Sequence, residues 1–148
     1  MVKQYVVLLF ILFILIVSGC IKQEKLVILP FPEEFYQNYL YKDTSITFRN
    51  YLVKGYDEKK EKEIYEYVKS EYKKFDTSKK SFQIVFFRAN ADLSDDFGKT
   101  GSGKWPNEWY SLYGSNLLYE FTWHNGIFLG VNHYIQGVCE NFYDKSKW

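Results

Sequence analysis

Cysteine and histidine are nearly missing from this chain. Among 148 residues there are two of each: Cys20 and Cys139, His124 and His133. Two cysteines cannot build the disulfide framework of a small secreted module. Two histidines leave little for a histidine-rich metal centre. Net charge is missing too. Lys and Arg number 19 against 18 Asp and Glu, so no strong field draws in nucleic acid or an anionic surface. Proline is limited to three residues, and no internal repeat or second composition zone marks a second domain. The length fits one domain with a real core. Aromatics are abundant instead, with 14 Tyr, 13 Phe and 4 Trp. Tyr and Trp join apolar area to a polar tip, which suits a packed core, an interface or a sugar face.

The one long apolar run is at the start. Tyr5–Val17 has no charge and no breaker, and its 13 residues rise about 20 Å as a helix. A bilayer core takes roughly 20 residues. Lys3 precedes the run, and Val17-Ser18-Gly19-Cys20 follows it. This arrangement resembles a bacterial lipoprotein signal peptide, with 1–19 as the signal and Cys20 as the first mature residue. The resemblance implies cleavage before Cys20, lipid such as palmitate on that residue, and a domain tethered in the cell envelope. Stable anchoring takes more than one acyl chain. An uncleaved anchor helix and ordinary secretion are the alternatives. Ile21, rather than aspartate, follows the cysteine, which favours the outer membrane if the source has one. Lipidation of Cys20 leaves Cys139 with no disulfide partner in the chain.

Residues 20–25 read as a tether and 26–148 as a single α+β domain. Leu26–Leu29 reads as an edge strand ended by Pro30. Pro32-Glu33-Glu34 opens a helix expected over 32–41. Thr44–Lys54 alternates as a strand. Asp57 caps a helix running to Phe75, with Ile64, Tyr65, Val68, Tyr72 and Phe75 as its apolar stripe. Glu58 and Lys62 are spaced for an i,i+4 pair, and the charged first turns point to solvent. Phe82–Arg88 reads as a central strand covered on both sides. Ala89–Lys104 reads as a long loop, and 106–113 as a short helix. Asn125-Gly126 predicts a type I′ hairpin joining 116–124 to 127–135. In that register Trp123 faces Phe128, Phe121 faces Gly130 and Tyr119 faces Asn132. Leu117, Tyr119, Phe121 and Trp123 then share the core face. The expected architecture is a mixed, mostly antiparallel sheet of four to five strands with one main helix on a face. Strands 45–54 and 82–88 form a parallel pair across that helix.

Catalytic patterns are weak. Gly98–Lys104 fits G-x-x-x-x-G-K, but Trp105-Pro106 stands where a phosphate loop needs Ser or Thr and a helix. Asp92, Ser94 and Asp96 alternate like calcium ligands, yet Phe97 and Gly103 occupy the glycine and glutamate positions of such a loop. The hairpin register separates His124 from His133 by too much for one metal. Glu120 lies diagonal to His133 and within reach of a surface pairing. Cys139 follows both histidines, unlike the cysteine-before-histidine order of NlpC/P60-type wall peptidases. Free cysteine is more often a small buried hydrophobe. Glu108, Glu120 and Asp96 lie near aromatics, but nothing selects a glycosidase pair. The expectation is therefore no metal, no cofactor and no catalytic residue. The leading reading is a non-enzymatic module that binds another envelope macromolecule, an assembly partner or a neutralised toxin. Its contact surface would be Trp105, Trp109, Tyr110 and Tyr113. Glycan or peptidoglycan binding through stacked aromatics is the second reading.

Overall fold

A computed structural model describes residues 24–31, 38–41, 44–75, 81–96 and 113–148. The expectations for 1–23, 32–37 and most of 97–113, Cys20 included, lie outside the described residues.

The domain is α+β. Its strands are β1 Val27–Pro30, β2 Asn38–Tyr41, β3 Thr44–Lys54, β4 Ser81–Arg88, β5 Leu117–His124, β6 Ile127–Ile135 and β7 Val138–Asp144. Six of them follow one path, β1-β3-β4-β5-β6-β7, and short β2 pairs with β3 beside β1. Helix α1 is Glu61–Glu71, extended by 3-10 turns at Glu58–Lys60 and Tyr72–Lys74; helix α2 is Ala91–Asp96. β3 and β4 are parallel across α1. Every other pairing is antiparallel.

The sheet has more strands than the expected four to five, for two reasons. Asn38–Tyr41 is strand β2 rather than the end of a helix, because pairing with Thr44–Thr47 satisfies its backbone. β7 was not expected at all. It returns from β6 through Gln136-Gly137, whose φ values of 51 and 80 match the 49 and 78 of Asn125-Gly126. Both two-residue turns hold the left-handed pair that matches strand twist.

Part of the segment expected as a loop after β4 is helical, at Ala91–Asp96. Asn90 caps α2 by accepting the Leu93 N–H through Oδ1 at 2.7 Å, which places Asp92, Ser94 and Asp96 on a helix rather than a cation loop. Asp57 does cap the main helical segment, accepting the Lys59 N–H at 2.9 Å. The first turn is 3-10, and Glu58–Lys62 is not among the ion pairs of the described residues. Within that turn Lys60 is buried, against the expectation of a fully solvated face.

Both sheet faces carry apolar clusters. On the α1 face, Ile64, Tyr65 and Val68 pack on Tyr51, Val53, Phe82, Ile84, Phe86, Tyr119, Phe121 and Trp123. On the other face Phe31, Leu52, Val85, Phe87, Leu93, Tyr113 and Leu117 form a second cluster. Successive residues of β4 feed alternate clusters, which explains its nearly unbroken apolar run. Leu117 was expected with Tyr119. The irregular step opposite Phe86 and Phe87 puts Leu118 on the α1 face instead and Leu117 behind it.

Candidate functional site

The β5–β6 hairpin holds its expected register only near the turn. Trp123 pairs with Phe128, but Leu129 is an extra residue on β6. Thr122 then faces Gly130, Glu120 faces Asn132, and Tyr119 faces His133. The expected Phe121–Gly130 and Tyr119–Asn132 pairs are each one residue off. His133 consequently stacks on Tyr119, with centroids 4.7 Å apart. His124, at the far turn, has Nδ1 3.2 Å from the Ser81 hydroxyl. No group of three metal-ligating residues converges among the described residues.

The shifted register assembles a polar strip on the face away from α1. Glu120 is its centre and does not pair with His133. Gln83 Nε2 donates to Glu120 Oε1 at 2.9 Å. Longer contacts of 3.4 Å come from Thr122 and Asn132 to Oε1, and from the Tyr134 hydroxyl to Oε2. Burial raises the Glu120 pKa above the usual carboxylate range, while the bonds from Thr122, Tyr134 and Asn132 pull it back. Tyr134 is pushed up to about 12, first by burial and then by the Glu120 charge. None of these partners is a second carboxyl.

Asn132 links this strip to the open edge of the sheet. Its Oδ1 accepts the Tyr143 N–H at 2.8 Å. β7 carries two irregularities, at Glu140 and at Phe142-Tyr143. Tyr143 lies at φ 47, in the left-handed region. For a residue with a bulky side chain, that conformation costs about 1–3 kcal/mol. The result is an apolar pair on an edge strand: Phe142 is 73 % exposed and Tyr143 49 %. Among the described residues, β7 pairs with β6 alone.

Gly130 makes this edge possible. A Cβ there would lie 2.3 Å from both C and O of Tyr143. The sequence signals were a glycine inside a strand and a Gln-Gly turn. Neither identifies Phe142 as exposed without the β7 register.

Of the expected contact residues, Tyr113 is buried in the second cluster; its ring serves the core rather than an exposed surface. Trp105, Trp109 and Tyr110 lie outside the described residues. Cys139 pairs with Tyr134, while His133 pairs with Asn141. The thiol and the imidazole therefore face opposite sides of the sheet. The Cys139 Sγ donates to the Asn141 carbonyl at 3.2 Å. Burial pushes its pKa up, the reverse of what activates a nucleophile.

Neither a protein-family model, nor a curated protein sequence, nor a solved structure matches this chain.

Proposed function

We propose that this is a lipid-anchored protein of the bacterial cell envelope, tethered through Cys20, whose domain binds a protein partner without catalysing a reaction on it. The tether reading comes from Val17-Ser18-Gly19-Cys20. The binding reading is carried by Phe142 and Tyr143, held outward on an edge strand by an unfavourable backbone angle. Backbone strain concentrates where function requires it. Aromatic anchors dominate contact energy at many interfaces. The two irregularities in β7 interrupt a continuous ladder. The partner therefore engages side chains rather than adding a full strand.

The test is crosslinking in the native host. Benzoylphenylalanine replaces Phe142 in the full chain, with His124 as the control position, while a fatty-acid analogue reports on Cys20. One discrete protein adduct from position 142 and none from 124, on labelled protein, supports the reading. Retention on purified cell wall with no adduct would overturn it in favour of glycan binding.

A further inference from the structure

We infer that one end of the domain lies against the bilayer, with the Ile135–Val138 hairpin tip seated in the lipid interface. The inference rests on lipid attachment at Cys20, and its first element is a short leash. Glu24 is fastened to the folded domain: its carbonyl accepts a bond from Lys60 Nζ at 2.5 Å. The same ammonium donates to the Gly55 carbonyl and pairs with Asp57 at 3.3 Å. Gly55, at φ 64, lies so close to the Lys25 carbonyl that a Cβ would stand 2.7 Å from it. The chain is therefore pinned four residues after the lipid-bearing cysteine. Four residues span at most about 14 Å. That distance is shorter than the domain, so the anchor selects which end meets the membrane.

Register identifies what shares that end. Val27 pairs with Lys54, Val53 with Arg88, and Phe87 with Leu117. β6 runs back to the same end and finishes at Ile135, which pairs with Val138 across the Gln136-Gly137 turn. A Cβ on Gly137 would meet the Gly114 carbonyl oxygen at 2.9 Å, so the tip is docked beside Gly114–Asn116. Ile135 is 46 % exposed and Val138 63 %. The same end of the sheet carries exposed Lys25, Lys54, Lys59 and Arg88 with exposed Glu24, Glu58, Asp92 and Glu140, so its charges balance and the aliphatic pair is its apolar feature.

Apolarity alone does not choose this tip, since Ile127 at the opposite turn is 67 % exposed. The leash does. Eight residues of β6 separate the two tips, about 26 Å. With the tethered end down, the far turn stands about 26 Å from the surface while the Ile135–Val138 tip meets it. The occupant is thus a lipid surface. It is brought there by the tether and received by two exposed aliphatic side chains, as at other interfacial contacts.

The test uses the full chain processed in its host and reconstituted into vesicles of phosphatidylcholine and phosphatidylglycerol. In a Cys139→Ser background, a nitroxide is placed by Val138→Cys or by Asn125→Cys. The label at 138 should lose most of its access to a water-soluble relaxant on reconstitution, while the label at 125 keeps it. Equal aqueous access at both positions, on protein whose Cys20 carries lipid by mass spectrometry, overturns the orientation and leaves the anchor standing. An unmodified Cys20 overturns both. Protection at 138 that depends on protein concentration and needs no vesicle would instead mean a second copy on the tip.

Discussion

The side-chain oxygen of Asn132 accepts the Tyr143 backbone N–H at 2.8 Å, with Tyr143 held at φ 47. The pairing works only because Gly130 has no side chain. The Tyr143 carbonyl occupies the place a Cβ would take. Gly130→Ala should therefore destabilise the domain by about 3 kcal/mol, through strain and displacement of β7. Asn132→Ala should cost about 2 kcal/mol, because it leaves the Tyr143 N–H unpaired. Denaturant titration checks both. If Gly130→Ala unfolds at the parent midpoint, β7 does not pack as described.

Glu120 gives the fold a pH dependence of definite sign. Its folded pKa is raised, chiefly by burial, above an ordinary value of 4.5. A carboxyl raised in this way favours the folded state most below its unfolded pKa. That contribution is lost as pH rises through the folded value. Glu120→Gln keeps an acceptor for Gln83 and removes the ionisation. The variant should gain on the parent as pH climbs from about 4.5 towards neutrality, and the two should converge in acid. Melting temperatures across that range decide it. A constant offset at every pH would mean that Glu120 is solvated as the charged form.

The sequence made the parallel β3–α1–β4 unit legible. Apolar periods switch from two to 3.6 and back across it, and Asp57 supplies a cap. Asn125-Gly126 was legible because only a few dipeptides accept two left-handed residues. What followed the turn was not. A single extra residue, Leu129, moves every later pair by one, and no residue type announces a bulge at that position. β7 was hidden for a related reason. Its two irregularities break the alternation that marks a strand, so Val138–Asp144 reads as irregular chain. Asn38–Tyr41 misled in the opposite direction. Proline and two acids open a convincing helix, but pairing along the outer edge of β3 outweighs local propensity there. The candidate edge at Phe142 and Tyr143 depends on those two irregularities, so it was not legible from composition.

Lys60 is a buried ammonium whose role is structural. It joins the Glu24 and Gly55 carbonyls and Asp57. Lys60→Met should preserve the apolar stem but leave two carbonyls and one carboxylate without that donor. The expected loss is about 2 kcal/mol. Local unfolding should appear first at β1, seen as faster amide exchange of Phe31, whose N–H is bonded to the Asn50 carbonyl at 2.9 Å. Uniform loss across β4 and β5 with no excess at Phe31 would show that Lys60 supports the core generally rather than the pinned segment.

Trp148 closes the aromatic cluster over α1. Its ring stacks on Phe128 at 4.3 Å. It meets Trp123 and Tyr72 edge-on at 5.7 Å, and Lys69 Nζ lies 5.9 Å over it. Aromatic pairs of this kind contribute about 0.5–1.5 kcal/mol each beyond the area they bury. The ring is only partly covered, so its removal costs less than emptying the core. Trp148→Ala should lower stability by about 2–3 kcal/mol, with an unchanged denaturant slope because the rest of the sheet still unfolds as one unit. Trp148→Phe should recover about half of that, since it keeps the Phe128 stack and loses the wider indole contact. The two variants must differ. Equal melting temperatures for Trp148→Ala and the parent would mean that the cluster closes without this residue.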